Sequence, residues 1–292
     1  MRRRVAVIGD IMLDVVVRPD GPLAPTSDTP SMIRVSRGGS GANVAMALRK
    51  SGHDIHYIGA AGDDPARHMF QTAMNAAGIT LQLRIVEQPT GTVVALVAAD
   101  GQRMMLTDRG ANAYLDEASV DTFLKEPFDH LHVSGYLLLD GATRSVAEHA
   151  LSKAQQYGSS TSVDVCSVAP LRAVTPEVFL QAASYASKIF ANEEEALVLT
   201  ASDTAPEALE ALSVLFHEVM ITLGPRGAIA AWGKKRYAIA ALDVEVLDTT
   251  GAGDAAAGAY LGARLYGESP DRSLQLAMEA AASVVGGLGA LG

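Results

Sequence analysis

A single cysteine, Cys166, occurs in 292 residues, so an intramolecular disulfide is excluded. That usage fits a reducing cytoplasm, and a lone cysteine among apolar residues reads as a small core residue. Positive charge is also scarce: 23 Lys and Arg face 33 Asp and Glu, a formal net charge of −10. Nucleic-acid binding relies on basic surface to neutralise phosphates, so that class of partner falls away. Aromatics reach only 5%, which leaves few rings to stack on a nucleobase. Long apolar runs are missing as well. The run after Met1-Arg2-Arg3-Arg4 breaks at Gly9-Asp10 and meets Asp14, so neither a signal peptide nor a membrane span is expected. The seven histidines lack ligand spacing backed by a carboxylate. His130 and His132 alternate on an apolar stretch, so one of them is expected to point inward as a satisfied core residue. A Walker-type loop fails at Gly233-Lys234, which has Ala228 where the first glycine belongs and Lys235 where Ser or Thr is needed.

Apolar residues, by contrast, make up 49% of the chain, enough for a substantial core. Continuous apolar runs ending in polar or glycine residues read as buried parallel strands: Val5 to Ile8, Ile55 to Gly59, His130 to Ser134, Ser162 to Asp164, Lys188 to Phe190 and Val219 to Leu223. A late hairpin is expected from Ala228 to Ala241. Helical patterns cover Ala42 to Lys50, Pro65 to Ala77, Asp116 to Phe123, Ala142 to Tyr157, Thr175 to Tyr185, Glu193 to Leu199, Pro206 to Phe216, Gly253 to Tyr266 and Pro270 to Val285. Such alternation implies an α/β fold, a mostly parallel central sheet with helices on both faces.

Four extended pieces break that rhythm: Met12 to Val17, Met32 to Ser36, Thr92 to Ala98 and Arg103 to Thr107. The last two flank Asp100-Gly101, a two-residue hairpin signal. They are read as a separate small β-sheet lid formed from about 12–20, 30–37 and 90–108, carried by one domain spanning 1–292, with the Pro- and Asp-rich stretch from Arg18 to Pro30 as a surface connection. A lid has a purpose in group transfer, because closing a site excludes competing water. The exposed edges of a small sheet also suit pairing with a second copy, hence a homodimer.

The densest chemistry lies at Asp248-Thr249-Thr250-Gly251-Ala252-Gly253-Asp254, a glycine-rich turn feeding a helix. A helix N-terminus presents unpaired N–H groups and the positive end of the dipole to an anion. Glycines 251 and 253 let that backbone approach closely. Asp254 is either a dipole-offsetting cap or a base that takes a proton from an attacking hydroxyl while the amides hold a developing phosphoryl charge. The window also contains Gly251-x-Gly253-x-x-Ala256, a degenerate dinucleotide fingerprint that sits near the chain end rather than in a first βα turn.

The seven-residue run resembles the C-terminal signature of the ribokinase/PfkB family of carbohydrate and nucleoside kinases. Gly38-Gly39-x-x-x-Asn43 resembles the family's N-terminal signature beside the acceptor sugar, and Asp14 stands where many members place a carboxylate that binds sugar hydroxyls. Asn192-x-x-Glu195 is similar to the family's motif that holds water around Mg²⁺ near the phosphates. Three acids in one first turn also simply offset a dipole. Thr222-x-Gly224-x-x-Gly227 resembles a segment that contacts nucleotide phosphates, and Ala280 to Gly289 matches the small-residue wall of the adenine, without the Asn some members carry there. Asp248 and Thr250 fall where some relatives hold a monovalent cation such as K⁺.

The resemblance thus implies a ribokinase-like fold and an ATP- and Mg²⁺-dependent kinase acting on a hydroxyl of a small sugar-like acceptor. Asp254 would be the base, the amides of Gly251, Ala252 and Gly253 the anion hole, and Asp14, Gly38, Gly39 and Asn43 the acceptor site. Arg109 and Asn112, in Arg109-Gly110-Ala111-Asn112, are further candidates to touch the acceptor. The segment from Asp164 to Arg172 does not choose among sugars. Arg34, Arg37, Arg103 and Arg109, on or near the proposed lid, suit either an anionic acceptor or a solvated surface. A nucleoside kinase of the same family, a dinucleotide-dependent oxidoreductase and a silent sugar-binding protein are the competing readings.

Overall fold

The computed structural model describes residues 1–98, 103–245 and 249–287. The hairpin tip Asp100-Gly101, the signature residue Asp248 and the end of the proposed adenine wall, 288–289, lie outside them. In chain order the strands are β1 (Arg4–Ile8), β2 (Met12–Pro19), β3 (Ser31–Gly38), β4 (Asp54–Gly62), β5 (Thr80–Val86), β6 (Gly91–Val97), β7 (Arg103–Asp108), β8 (His130–Val133), β9 (Ser160–Asp164), β10 (Lys188–Asn192), β11 (Glu218–Thr222), β12 (Ala228–Trp232) and β13 (Lys235–Ile239). The helices are α1 (Ser40–Lys50), α2 (Pro65–Ala76), α3 (Glu117–Phe123), α4 (Gly135–Leu139), α5 (Arg144–Gln156), α6 (Val168–Val174), α7 (Pro176–Ala182), α8 (Glu193–Thr200), α9 (Ala205–Leu215), α10 (Ala252–Tyr266) and α11 (Pro270–Val285).

Nine strands form one sheet in the order β13-β12-β11-β10-β9-β8-β1-β4-β5, parallel except for β12 and β13. The continuous apolar runs predicted as parallel strands are its centre: Val5, Ala6, Val7 and Ile8 are wholly buried, as strands covered on both faces must be. One face packs on α3 and α5–α9, the other on α1, α2, α10 and α11, giving two separate apolar cores. On the second face, a Cβ on Gly258 would come within 2.5 Å of the Ala47 side chain, and one on Gly262 within 2.3 Å of Ser51. The Gly258-x-x-x-Gly262 spacing therefore brings α10 directly against α1.

The four irregular extended pieces pair as β3-β2-β6-β7, a second sheet of their own. Three elements escape the sequence pattern. Strand β5 runs along the sheet edge with mixed exposure, so its periodicity is weak. Helix α4 has five residues, too few for a helical repeat to register. Helix α6 is hidden by Pro170 in its first turn. Thr175, with φ +81°, separates α6 from α7, so the helix expected from Thr175 begins at Pro176.

Chain order fixes where a ligand can sit. From β1 the chain moves outward through β4 to β5, then returns to β8 on the opposite side of β1 and proceeds to β11. Strand order thus reverses beside β1, and in open α/β sheets the crevice at the carboxyl ends of such strands is the ligand site.

Candidate active site

A cleft of about 940 Å³ opens at that reversal, walled by the ends of β1, β9 and β10, the starts of α1, α8 and α10, and the small sheet. Helix α10 begins at Gly251, whose φ of +76° only glycine adopts freely. Its first-turn amides have no partners inside the helix, and Gly251, Gly253 and Asp254 line the cleft. Across from them, Gly39 has φ +108°, and a Cβ there would lie 2.2 Å from the Asp10 carbonyl. This glycine lets α1 start against β1 and delivers Ser40 and Asn43 to Asp254.

Asp254 is held by both. Ser40 Oγ lies 2.8 Å from Oδ1, and Asn43 Nδ2 donates to Oδ2 at 2.8 Å. Burial, and then the charge of Asp164, push the Asp254 carboxyl up to about 7. Asp164 has the opposite balance. Burial would raise it, but His132, the Gly135 amide donating at 2.6 Å and the Cys166 thiol bring it below the usual range. Ser40 Oγ also lies 2.9 Å from Asp164 Oδ2, so one hydroxyl bridges two carboxylates.

The opposite wall is acidic too. Asp14, on β2, packs so closely on Gly38 that a Cβ there would sit 2.1 Å from its Oδ1; burial, and then Asp10, raise its carboxyl to about 6. Asp10 is 2% exposed and its carboxyl is also raised, chiefly by burial. Arg109 lies between carboxylates, Nη1 3.5 Å from Asp10 and Nε 3.5 Å from Asp140. Two acceptors in the cleft wall, Asp10 Oδ1 and Asn43 Oδ1, are buried without a hydrogen-bond partner.

At the far end, Asn192 caps α8: its side chain accepts from the Glu195 amide at 2.9 Å, and Glu195 Oε2 accepts from the Asn192 amide at 2.9 Å. The ordinary capping role is therefore real, yet both residues also line the cleft. Burial raises the Glu195 carboxyl to about 7, and among the described residues no Lys or Arg pairs with it. A buried carboxylate at a cleft wall without a cation is a donor that fits Mg²⁺ held through water.

The structure brings together Asp14, Gly39, Asn43, Arg109, Asn192, Glu195, Thr222, Thr250, Gly251, Gly253 and Asp254 around this cleft. Asn112 does not belong with them. Its Oδ1 accepts from the Ile11 amide and its Nδ2 donates to the Ile11 and Arg109 carbonyls, so its polar atoms are spent on tying backbone segments together. Gly227 supports β13 instead of facing the cleft, for a Cβ there would meet the Ile239 carbonyl at 1.9 Å. Gly224, like Gly227, is not on the cleft wall, and Gly38 serves by making room for Asp14. Ala280 and Ser283 line a separate groove beside α1 and α10.

Cys166 stands on the cleft wall, with φ +71° and its thiol 3.1 Å from Asp164, rather than in the core. Burial, then Asp164, push that thiol well up, so it stays protonated. His130 and His132 are both fully buried; residues two apart on a strand share a face, so the expectation that only one turns inward is corrected. Sequence reasoning also missed Asp10, Ser40 and Asp164 as site residues. For Asp10 and Asp164 the signal was available, since each is an acid ending an apolar parallel strand.

Known proteins resemble this chain along nearly its whole length. The model of the pfkB family carbohydrate kinase matches residues 2–291. A ribokinase from Haemophilus influenzae is 31% identical over 293 residues, covering 97% of this chain and 92% of that protein. A fructokinase from Vibrio alginolyticus is 28% identical, covering 88% and 83%. The crystal structure of adenosine kinase from Sinorhizobium meliloti superposes with a TM-score of 0.88 at 25% identity, covering 99% of this chain and 96% of that one.

Proposed function

Because the chain belongs to the pfkB family of carbohydrate kinases, we propose that its acidic cleft phosphorylates an uncharged sugar with Asp254 as the base. As a member it is an ATP-dependent carbohydrate kinase, which transfers phosphate to a hydroxyl of a small sugar or sugar-like acceptor. The observation that supports a neutral acceptor is the pair of orphaned buried oxygens, Asp10 Oδ1 and Asn43 Oδ1, with Asp14 alongside. Carboxylate and amide oxygens only accept, so they favour hydroxyl donors and repel a phosphate or carboxylate on the acceptor. Among the described residues Arg109 is the arginine on the wall, and it is ion-paired at 3.5 Å with both Asp10 and Asp140, although its Nε and Nη2 make no hydrogen bond.

In this reading Asp14, Asp10 and Asn43 orient the acceptor. Asp254 takes the proton of the attacking hydroxyl, and the Gly251, Gly253 and Asp254 amides hold the charge on the phosphoryl in flight, the Ala252 amide being bonded to the Thr249 carbonyl at 3.2 Å. Asn192 and Thr222 face the nucleotide side. Kinases of this family use ATP with Mg²⁺, and the ion, held near Glu195, would neutralise charge on the phosphates. A monovalent cation beside Thr250 belongs to the same proposal. The small sheet acts as a lid. Met32, Ile33, Val35, Met104, Met105 and Leu106 are each at least half exposed on it, and a second copy covering these strands in the cytoplasm would bury them.

The test is an ADP-release assay with ATP, Mg²⁺ and a panel of D-ribose, D-fructose, adenosine, a sugar acid and a sugar phosphate. A free sugar should give the highest kcat/KM. Preference for the sugar phosphate or acid would overturn the neutral-acceptor reading, and preference for adenosine would move it to a nucleoside.

A further inference from the structure

Phosphoryl transfer with Asp254 as the base leaves one buried acid of the cleft without a task. Asp164, the last residue of β9, is 7% exposed and stands on the cleft wall. Its Oδ1 accepts from the Gly135 amide at 2.6 Å and from the Cys166 thiol at 3.1 Å. Its Oδ2 lies 2.9 Å from Ser40 Oγ, which in turn lies 2.8 Å from Asp254 Oδ1. Among the described residues no Lys or Arg pairs with Asp164. The imidazole nearest to it, His132, keeps its Nε2 3.8 Å away without a hydrogen bond. Farther back, the rings of His132 and His130 bond to Ser162 and Ser160.

Burying a carboxylate is costly, and an asparagine of the same shape would still bond Gly135 and Ser40. The negative charge of Asp164 is therefore the feature that needs a purpose. Ser40 supplies one hydroxyl hydrogen, yet two carboxylate oxygens lie within hydrogen-bond distance of its Oγ. With both acids ionised, one of these contacts holds no hydrogen, and two negative charges face each other across a single hydroxyl. A proton on Asp254 relieves that repulsion. The arrangement thus favours the state Asp254 reaches after it has taken the acceptor's proton, as expected of like-charged carboxyls in one site. Asp164, whose carboxyl is held below the usual range, is the member that stays charged. Asn43 donates to Asp254 Oδ2 at 2.8 Å, so the base is clasped at both oxygens.

We propose that Asp164 is a positioning residue for the transfer: through Ser40 it fixes the Asp254 carboxylate, and its own charge makes Asp254 a stronger proton acceptor, a role that rests on Asp254 being the base. The acceptor oxygen bonds to phosphorus, the bond from phosphorus to the ADP oxygen breaks, and the acceptor's proton passes to Asp254. Asp254, which lines the cleft, returns that proton to water when the product leaves. Asp164 and Ser40 begin and end the cycle unchanged. Other titratable groups also face Asp254. Asp10, just after β1, acts in the same sense as Asp164 but more weakly, and Arg109 is paired with it from behind. Cys166 and Tyr136 stay protonated, because burial raises both. Asp164 is the acid that a shared hydroxyl joins to the base.

The test follows kcat and kcat/KM for the best acceptor of the panel against pH, in wild type, Asp164→Asn, Ser40→Ala and Asp254→Asn. ATP and Mg²⁺ are saturating, so that Glu195, which also feels Asp164, stays ionised. Thermal melts establish folding. In wild type the rate should rise through about pH 7. In Asp164→Asn the midpoint should fall by about one pH unit or more. Its plateau kcat should be up to about tenfold lower, because a weaker base has less driving force. Asp164→Ser removes the same charge, should shift the midpoint in the same direction, and serves if the asparagine variant melts early. Ser40→Ala keeps both charges but removes the hydrogen bond that favours ionised Asp254, so kcat should fall while the midpoint does not. A wild-type midpoint in Asp164→Asn, or a midpoint lowered equally in Ser40→Ala, would overturn the positioning role. An Asp254→Asn enzyme at wild-type rate would instead remove the base itself. A slow Asp254→Asn beside an unshifted Asp164→Asn would leave the base standing and remove Asp164 alone.

Discussion

Glu195, in the first turn of α8, and Glu218, the first residue of β11, are both buried glutamates, and they sit in opposite electrostatic settings. At the carboxyl end of the sheet, burial lifts Glu195 to about 7 and no Lys or Arg among the described residues answers it. At the amino end, Glu218 faces Lys188 at 3.2 Å, Arg264 at 2.5 Å and the Tyr260 hydroxyl at 2.8 Å. Burial there is outweighed, and its carboxyl is held below the usual range. One end of the sheet satisfies its charges internally; at the other, Asp10 Oδ1 and Asn43 Oδ1 have no hydrogen-bond partner and Glu195 has no cation among the described residues. The proposed site lies at this electrostatically unfinished end.

The largest effect should come from Asp254→Asn. A general base typically contributes 10²–10⁴-fold, so turnover should fall by that factor, measured as kcat with saturating ATP, while ATP affinity stays near wild type. In the wild-type enzyme, turnover should rise with pH through about 7, where Asp254 ionises. A variant with near-normal kcat would remove the contrast, because the acidic end would then hold no working base.

The paired end should respond in stability rather than rate. Glu218→Ala strands Lys188 and Arg264, which are only 13% and 12% exposed. Breaking a buried ion cluster costs about 3–5 kcal/mol, read as a lower urea midpoint with little change in the kcat of the folded fraction. The depressed carboxyl of Glu218 contributes stability above its unfolded value and loses it as pH falls. The cost of Glu218→Ala should accordingly shrink in acid.

Glu195→Gln should run the other way. A carboxyl raised from 4.5 to about 7 favours the fold only while it is protonated, and that contribution is lost as pH rises through about 7. Gln keeps the cap to Asn192 without the charge. In metal-free protein, Glu195→Gln should gain about 1–3 kcal/mol on wild type between pH 5 and 8.5, at 1.36 kcal/mol per pKa unit, in pH-dependent melts. The same variant should need more Mg²⁺ for half-maximal rate. If its stability tracks wild type across pH, Glu195 has a cation partner and the two ends are alike.

Much of this contrast was legible in the sequence. The alternation of apolar runs and helical patterns gave the main sheet, and the odd spacing of Met12–Val17, Met32–Ser36, Thr92–Ala98 and Arg103–Thr107 separated the second sheet from it. Residues in the first turn of a glycine-preceded helix, Asp254 and Asn43, were readable because backbone and chemistry coincide locally. Partners from distant strands were not. Nothing in the local pattern says that Ser40 reaches Asp164, that Asn112 ties down Ile11, or that His130 and His132 meet Ser160 and Ser162 across a parallel pair. Those contacts follow from register, which the hydrophobic pattern of strands buried on both faces does not encode.

Arg2 and Asp54, near the amino end of the sheet but at its surface, separate burial from charge as the source of the difference. Their ion pair spans 3.3 Å, comparable with Lys188 and Glu218, yet the side chains are 59% and 41% exposed. Water screens such a pair and both chains keep their freedom, so exposed pairs contribute less than about 1 kcal/mol. Arg2→Ala should therefore barely move the urea midpoint, and raising salt should remove what effect there is. Glu218→Ala should keep most of its cost at the same salt concentration. If Arg2→Ala were as costly as Glu218→Ala, mere pairing rather than desolvation would set the energetics of the amino end. The unpaired charges of the cleft would then be no more available to a ligand than any on the surface.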